Sequence, residues 1–257
     1  MPSTHRLQAS FSQSIGKELP SIPGLRSMCY FGSGYDGNNG NRVAGGPAPI
    51  VLGSPVYSSN YVTVGYNGSS SPCIDLAMQR TSAVLAAGWT WAAVWRITAA
   101  GSVGGTIIGD LGGGGGTIPL IGTTCSMVGQ SAASFQTFIQ SNGQSNKATF
   151  VLPGKNSSNW HFEALTYTGG ATGTLSLNEF TDVPAGSTPA TWVVATALTA
   201  GNNSPTLGNL VPNGSSAWAY PIDVAWAMVA QGAMNQTDLA ALAAAVRPWL
   251  ARRNITA

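Results

Sequence analysis

Between about residue 28 and residue 230 the chain is written in short apolar or β-branched runs, each bounded by Gly, Asn, Ser or Pro. Strands and turns alternate in this way in all-β proteins. The clearest runs are Ile50 to Tyr57, Tyr61 to Tyr66, Trp89 to Thr98, Thr106 to Leu111, Lys147 to Leu152, Trp160 to Thr168, Gly173 to Phe180, Thr191 to Leu198 and Ile222 to Ala230. Alternation is sharpest from Trp89 to Ile97, where Trp89, Trp91, Ala93, Trp95 and Ile97 share one face of a strand. Such a face is either a core surface packed on a second sheet or a platform on which sugar rings stack. Core is the expectation, because three exposed indoles would make a large apolar patch. Antiparallel pairing and burial of Trp91, Trp95, Trp160 and Trp226 follow from the same pattern.

One helix is expected, at about residues 236–247. Asn235 can cap it, and Leu239, Leu242, Ala243 and Val246 form its apolar stripe. Pro248 should end or kink it, leaving Trp249 and Leu250 to pack after a bend. Residues 1–25 show no sustained apolar period and carry Pro20 and Pro23 near their end, so they read as an extended N-terminal arm. Residues 26–257 then form a single all-β domain. No fixed-period repeat is present, and the five glycines Gly112 to Gly116 read as a flexible hairpin end.

Composition narrows the function. Only 8% of residues are charged and the formal net charge is +2, yet 44% are hydrophobic, so the chain can bury a core and is not disordered. A nucleic-acid role is not expected, because the basic residues form no stripe; the cluster Arg247, Arg252 and Arg253 suits a helix C-terminus for dipole reasons. No apolar run approaches the roughly 20 residues of a membrane helix. The first twenty residues lack the apolar segment and small-residue cleavage site of a secretory signal. The three cysteines, Cys29, Cys73 and Cys125, contain no CxxC pair, which argues against a zinc site or a disulfide framework. Reduced thiols are the default, with a Cys73 to Cys125 bridge the one pairing left open.

Catalytic motifs are missing. Gly32-Ser33-Gly34-Tyr35-Asp36-Gly37 matches GxGxxG but is followed by Asn and Gly, where a dinucleotide site needs a helix. Paired-carboxylate chemistry has few acids to draw on, and Glu179 and Asp182, three apart at a strand end, should face opposite ways. His161 lies inside a strand, and no GxSxG elbow exists to join it in a nucleophilic site. A non-enzymatic role is therefore expected. Calcium is a candidate ligand for Asp36, Asn38, Asn39 and Asn41, although Asx-type turns explain the same residues.

From Trp89 onward the segment order resembles the concanavalin A-like lectin/glucanase superfamily in its laminin-G-like form. The resemblance is carried by Trp89 to Arg96, Thr106 to Asp110, Trp160 to Gly170, Thr206 to Asn209, Ile222 to Met228 and the closing helix, about two thirds of the chain. Leu175 to Glu179 stands where the family usually has an Asp-Gly turn and lacks it. The resemblance implies a two-sheet antiparallel jelly-roll sandwich. The Glu-x-Asp-x-x-Glu strand of the family's glucanases is absent, and its calcium-lectin acids match only Asp36 or Asp110 loosely. Such sandwiches also resemble accessory proteins of tailed-bacteriophage virions. That implies a virion structural or decoration protein, homo-oligomeric, docking on other virion proteins through the arm and contacting cell-surface glycans. A secreted, extracellular carbohydrate-binding module is the alternative, and a glycan-cleaving enzyme the third reading.

Ligand contact is expected on loops at one rim of the sandwich. Tyr35, Asp36, Asn38, Asn39 and Arg42 combine a stacking ring, hydrogen-bonding groups and a cation, and Trp218 and Tyr220 offer aromatic faces to a sugar.

Overall fold

A computed structural model of the chain describes residues 22–32, 40–65, 72–79, 81–97, 104–109, 125–130, 135–141, 144–152, 157–170, 172–182, 188–194, 204–208 and 221–257, with side chains left out at 104, 125–130, 135–141 and 144–152. Among these residues the expected antiparallel sandwich is present. One sheet runs β13 (Ala190–Val193), β12 (Thr174–Glu179), β11 (His161–Tyr167), β6 (Trp89–Arg96), β15 (Ile222–Gln231), β4 (Val62–Val64), β3 (Val56–Tyr57). A further strand, β1 (Leu25–Tyr30), lies on the same side of β15 as β4: β4 takes Ile222 to Val224 and β1 takes Trp226 to Ala230. The second sheet runs β10 (Gln144–Leu152), β9 (Phe135–Ser141), β8 (Cys125–Gln130), β7 (Gly104–Gly109), β14 (Thr206–Leu207), β5 (Cys73–Asp75), β2 (Ile50–Leu52). Every pairing is antiparallel.

The tryptophan stripe is core, as its period requires. Trp89, Trp91, Ala93, Trp95 and Ile97 all lie between the sheets, against Ile74, Leu76, Ile107 and Leu207 of the second sheet. Trp89 and Trp91 stack with centroids 3.9 Å apart. The intervening Ala92 and Val94 are buried as well, under helix α2 (Gln236–Ala251), so β6 is enclosed on both faces. Trp160 and Trp226 are buried as expected, but in this second apolar layer with Phe162, Leu242 and Trp249. Strand β15 serves both layers through a bulge. Ile222 and Val224 face the inter-sheet core, Ala225 and Trp226 both face the helix, and Ala227 and Val229 return to the inter-sheet side.

Helix α2 starts as read, with the Asn235 side chain accepting from the Asp238 amide at 2.9 Å. It does not stop at Pro248. The ring removes one hydrogen-bond donor, yet Trp249 and Leu250 are held in the core and Arg247 donates to the carbonyls of Ala257 and Phe180. Tertiary contacts therefore carry the last turn to Ala251. Two other expectations are corrected. The run Ile50 to Tyr57 is not one strand, because Gly53 (φ 72°) and Pro55 break it and pass the chain from the second sheet to the first. A second, short helix, α1 (Ser82–Ala87), is capped by Thr81 and closed at Gly88 (φ 78°), where a Cβ would lie 2.2 Å from the Tyr167 carbonyl. Cys73 is a buried free thiol, in line with the default reading; burial and then the neighbouring Asp75 push it up to about 11. Strand β1 opens at Leu25, the last residue assigned from sequence to the arm.

Candidate functional site

The strands β4, β15 and β6 place Thr63, Asp223 and Arg96 side by side at one end of the first sheet. Asp223 is buried, accepts from Thr63 Oγ1 at 2.7 Å, and pairs with Arg96 Nε at 3.0 Å. The Arg96 guanidinium also lies over the rings of Trp160 (4.5 Å) and Tyr61 (5.0 Å), whose planes meet edge to face. A cation is thereby fixed by one carboxylate and two aromatic faces, with its side chain 25% exposed.

Beside it opens a cleft of about 390 Å³, walled by Arg96, Ser158, Asn159 and Trp160 on one side and by Thr181, Asp182, Asn254 and Thr256 on the other. The last two come from the end of α2. Asn254 takes a left-handed conformation (φ 57°), the Ile255 amide donates back to Leu250 at 3.0 Å, and Ile255 is buried. This helix stop turns Asn254 and Thr256 to the cleft.

Asp182 is held from behind. Strand β12 ends at Glu179, and the chain folds round its carboxylate, which accepts from the amides of Thr181 and Asp182, each at 2.9 Å. His161 Nδ1 lies 3.3 Å from Glu179 and 3.9 Å from Asp182. Glu179 and Asp182 therefore share a partner, against the expectation of opposite faces: strand alternation stops at Glu179, so the three-residue spacing no longer sets direction. Glu163, directly across from Glu179 in the register, accepts from Trp95 Nε1 at 2.8 Å. His161, Glu163 and Glu179 are all buried, whereas the Asp182 side chain is 19% exposed and faces the cleft. The site offers a carboxylate, two carboxamides, hydroxyls and a compensated guanidinium, a set suited to holding a hydroxyl-rich ligand. His161, one of the two histidines, is sealed inside.

Of the sequence-derived candidates, Tyr35, Asp36, Asn38, Asn39, Trp218 and Tyr220 lie outside the described residues, as do residues 1–21, Asp110 and Gly112 to Gly116. Arg42 is described. Its amide donates to the Met28 carbonyl, and its charge, after burial, helps hold the Arg253 guanidinium below its ordinary range. Arg253 stacks on Trp249 and donates to the Phe31 carbonyl, and the Asn60 side chain donates to the Arg253 carbonyl at 3.0 Å. Arg42 thus neighbours the rim that carries Tyr61 and Asn254. Gly32, from which the expected loop departs, is wedged here: a Cβ would lie 2.4 Å from the Ser59 carbonyl and 2.8 Å from Arg253. Asn41 takes the turn role that was the alternative to calcium binding. Its side-chain oxygen accepts from the amides of Met28 and Val43, and its nitrogen donates to the carbonyls of Arg26 and Pro47, so the whole carboxamide pins the turn to β1. No group of three or more His, Cys, Asp and Glu suited to a metal occurs among the described residues. No described helix is long and apolar enough to cross a membrane.

Arg96 and Asn254 were not singled out from sequence, Trp160 was read only as core, and Asp182 only as an acid turned away from Glu179. The available signal was charge scarcity: in a chain with nine acids, Asp223 inside an apolar run and Arg96 at the end of another are each exceptional.

No protein-family model matches the chain, and no curated protein matches it in sequence. Solved structures share its fold. The botulinum neurotoxin serotype D binding domain superposes with a TM-score of 0.54 at 8% identity, over 84% of this chain and 50% of that one. The binding domain of botulinum neurotoxin DC, solved in complex with rat synaptotagmin II, gives 0.51 at 11% identity over 85% and 51%. The exoplasmic/lumenal domain of VIP36, solved in a Ca²⁺/Man2-bound form, gives 0.47 at 13% identity over 82% and 91%. The chain spans about half the length of the toxin domains it matches. At these identities the likeness to the toxin domains establishes the fold alone: a β-sandwich of two antiparallel sheets, here with a C-terminal helix.

Proposed function

We propose that this sandwich is a non-enzymatic binding protein that holds a glycan in the cleft between Arg96 and Asp182. The observation that carries the reading is the cleft's inventory. Asp182, Asn159 and Asn254 can each take hydroxyl groups, and Arg96 is already neutralised by Asp223. A glycan array followed by calorimetry tests it: the wild type should retain a neutral glycan, and Asp182→Ala with Asn159→Ala should weaken retention at least about tenfold, the scale of one lost charge-assisted hydrogen bond. Unchanged binding in the double variant sinks the cleft, and release of reducing ends from the retained glycan sinks the non-enzymatic reading.

The setting belongs to the same proposal. The low charge and the abundance of Gly, Ser, Thr and Asn suit a protein that works outside the cell, and residues 1–25 suit a segment that orders on a partner. The chain is read as a structural or decoration protein of a tailed-bacteriophage virion, with that segment docking on other virion proteins. Co-purification with particles, lost on removing residues 1–21, is the expected result.

A further inference from the structure

Arg96 is held on every side but one. Its Nε donates to Asp223 at 3.0 Å, and Asp223 is itself set by Thr63 Oγ1 at 2.7 Å. The rings of Trp160 and Tyr61, at 4.5 Å and 5.0 Å, fix the position of the guanidinium. Arginine carries five N–H donors and no acceptor. Among the described residues only the Nε donor is bonded; the terminal nitrogens Nη1 and Nη2 have no acceptor, although the side chain is only 25% exposed and lines the cleft of about 390 Å³. A side chain fixed in this way has little freedom left to lose when its remaining donors meet a ligand.

Two donors in one plane match two oxygens held side by side. A carboxylate or phosphate meets that requirement, and so do two adjacent hydroxyls of a sugar ring. Charge separates them. The Arg96 cation is already paired with the buried Asp223, and a second carboxylate, Asp182, lines the same cleft. An incoming anion would compete with Asp223 for one guanidinium and meet Asp182 as a like charge, whereas hydroxyl oxygens accept from Nη1 and Nη2 without adding charge. Ring stacking contributes little here. Trp160 is the one aromatic side chain among the described residues that wall the cleft, it is 8% exposed, and the guanidinium lies over its ring. Recognition therefore rests on hydrogen bonds, which discriminate steeply: a site built to bond a hydroxyl leaves its own polar groups unpaired when that hydroxyl is missing.

We propose that Arg96 is the specificity-determining residue of the cleft, its Nη1 and Nη2 gripping two adjacent hydroxyl oxygens of a neutral hexose while Asp182 accepts from hydroxyls elsewhere on the ring. Asp223, Thr63 and the two aromatic rings act through Arg96 and are positioning groups. The inference rests on the reading of the cleft as a glycan site and adds the hydroxyl arrangement that the site selects.

Titration calorimetry tests it on the full chain, on Arg96→Lys and on Asp182→Ala/Asn159→Ala. The probes are the methyl glycosides of glucose, galactose and mannose, their monodeoxy derivatives, and methyl glucuronide. At least one neutral hexoside should bind the wild type, and removing either of two neighbouring hydroxyls should weaken it at least about tenfold. Arg96→Lys keeps the charge and loses the fork. It should weaken the same hexoside at least about tenfold and hold the parent and those two deoxy derivatives within about a factor of two of one another. A merely structural role would weaken every probe alike and leave the discrimination standing, which overturns the proposal. Tighter binding of the glucuronide than of the glucoside also overturns it, since the fork then takes a carboxylate. If Arg96→Lys binds like the wild type while the double variant loses the hexoside, the cleft reading stands and Arg96 is not its selector; if neither variant weakens binding, both readings fall. Failure of all three hexosides to bind overturns the proposal, and an array glycan that still depends on Asp182 and Asn159 then preserves the cleft. Circular dichroism and the urea midpoint check that Arg96→Lys folds. Should it not, the deoxy series on the wild type decides alone: dependence on one isolated hydroxyl, or on none, overturns the proposal.

Discussion

The two ends of the strand β6 follow different rules. From Trp89 to Trp95 every side chain is buried, with indoles towards the second sheet and small residues towards α2. One residue further, Arg96 meets Asp223, Trp160 and the polar cleft. The interior half is fixed by packing, and Thr90 and Trp95 spend their polar atoms on internal hydrogen bonds. The rim half can present hydrogen-bonding groups because the interior half holds it still. Stability and recognition are thus divided along a single strand, and substitutions at its two ends should divide in the same way.

The largest effect should come from the interior. Trp95→Ala should cost about 3–5 kcal/mol in urea unfolding, from the lost indole and the cavity it leaves, and it also removes the donor to the buried Glu163. A loss below about 1 kcal/mol would break the comparison, since that is surface behaviour. Next comes the layer under α2: Asn235→Ala removes the cap bonded to the Asp238 amide and should cost about 1 kcal/mol, read from the thermal midpoint. Asp182→Ala should change stability by no more than about 0.5 kcal/mol while weakening glycan retention, and a large stability loss there would place Asp182 with the interior. The smallest effect concerns pH. Burial raises the Asp75 carboxyl above its ordinary value, against hydrogen bonds from Ala77 and Ser204 that lower it. A raised folded value means that the unfolded chain ionises first, so stability falls as pH rises from about 4 through the folded value. Asp75→Asn should remove that fall, its midpoint gaining on the wild type between pH 3 and pH 6; a difference constant with pH would refute it.

How much was legible in the sequence depended on the length of each pattern. The eight residues of β6 display period two, so the face of each indole could be read directly. Strands β5 and β14, of three and two residues, are too short to show a period, and α1 is barely more than a turn. Ile50 to Tyr57 looked continuous because Gly53 and Pro55 act through backbone conformation, which hydropathy does not register. The Glu179 and Asp182 spacing misled because the strand ends at the first of them. The cleft was invisible for a different reason. Arg96, Trp160, Asp182 and Asn254 come from separate elements, and only the register and the helix stop bring them together.

The tandem arrangement of β1 and β4 along one side of β15 ties folding to the order of synthesis. Arg26 of β1 and Gln231 of β15, bonded at 2.7 Å, are 205 residues apart in the chain. At a translation rate of about 5–20 residues per second, β1 waits on the order of 10–40 s for its partner. Until β15 emerges, β1, β4 and β6 lack the strand that joins all three, and Met28 and Tyr30 have no apolar layer to enter. A nascent chain stalled before Ile222 would expose an unfinished sheet to any partner that binds extended apolar segments.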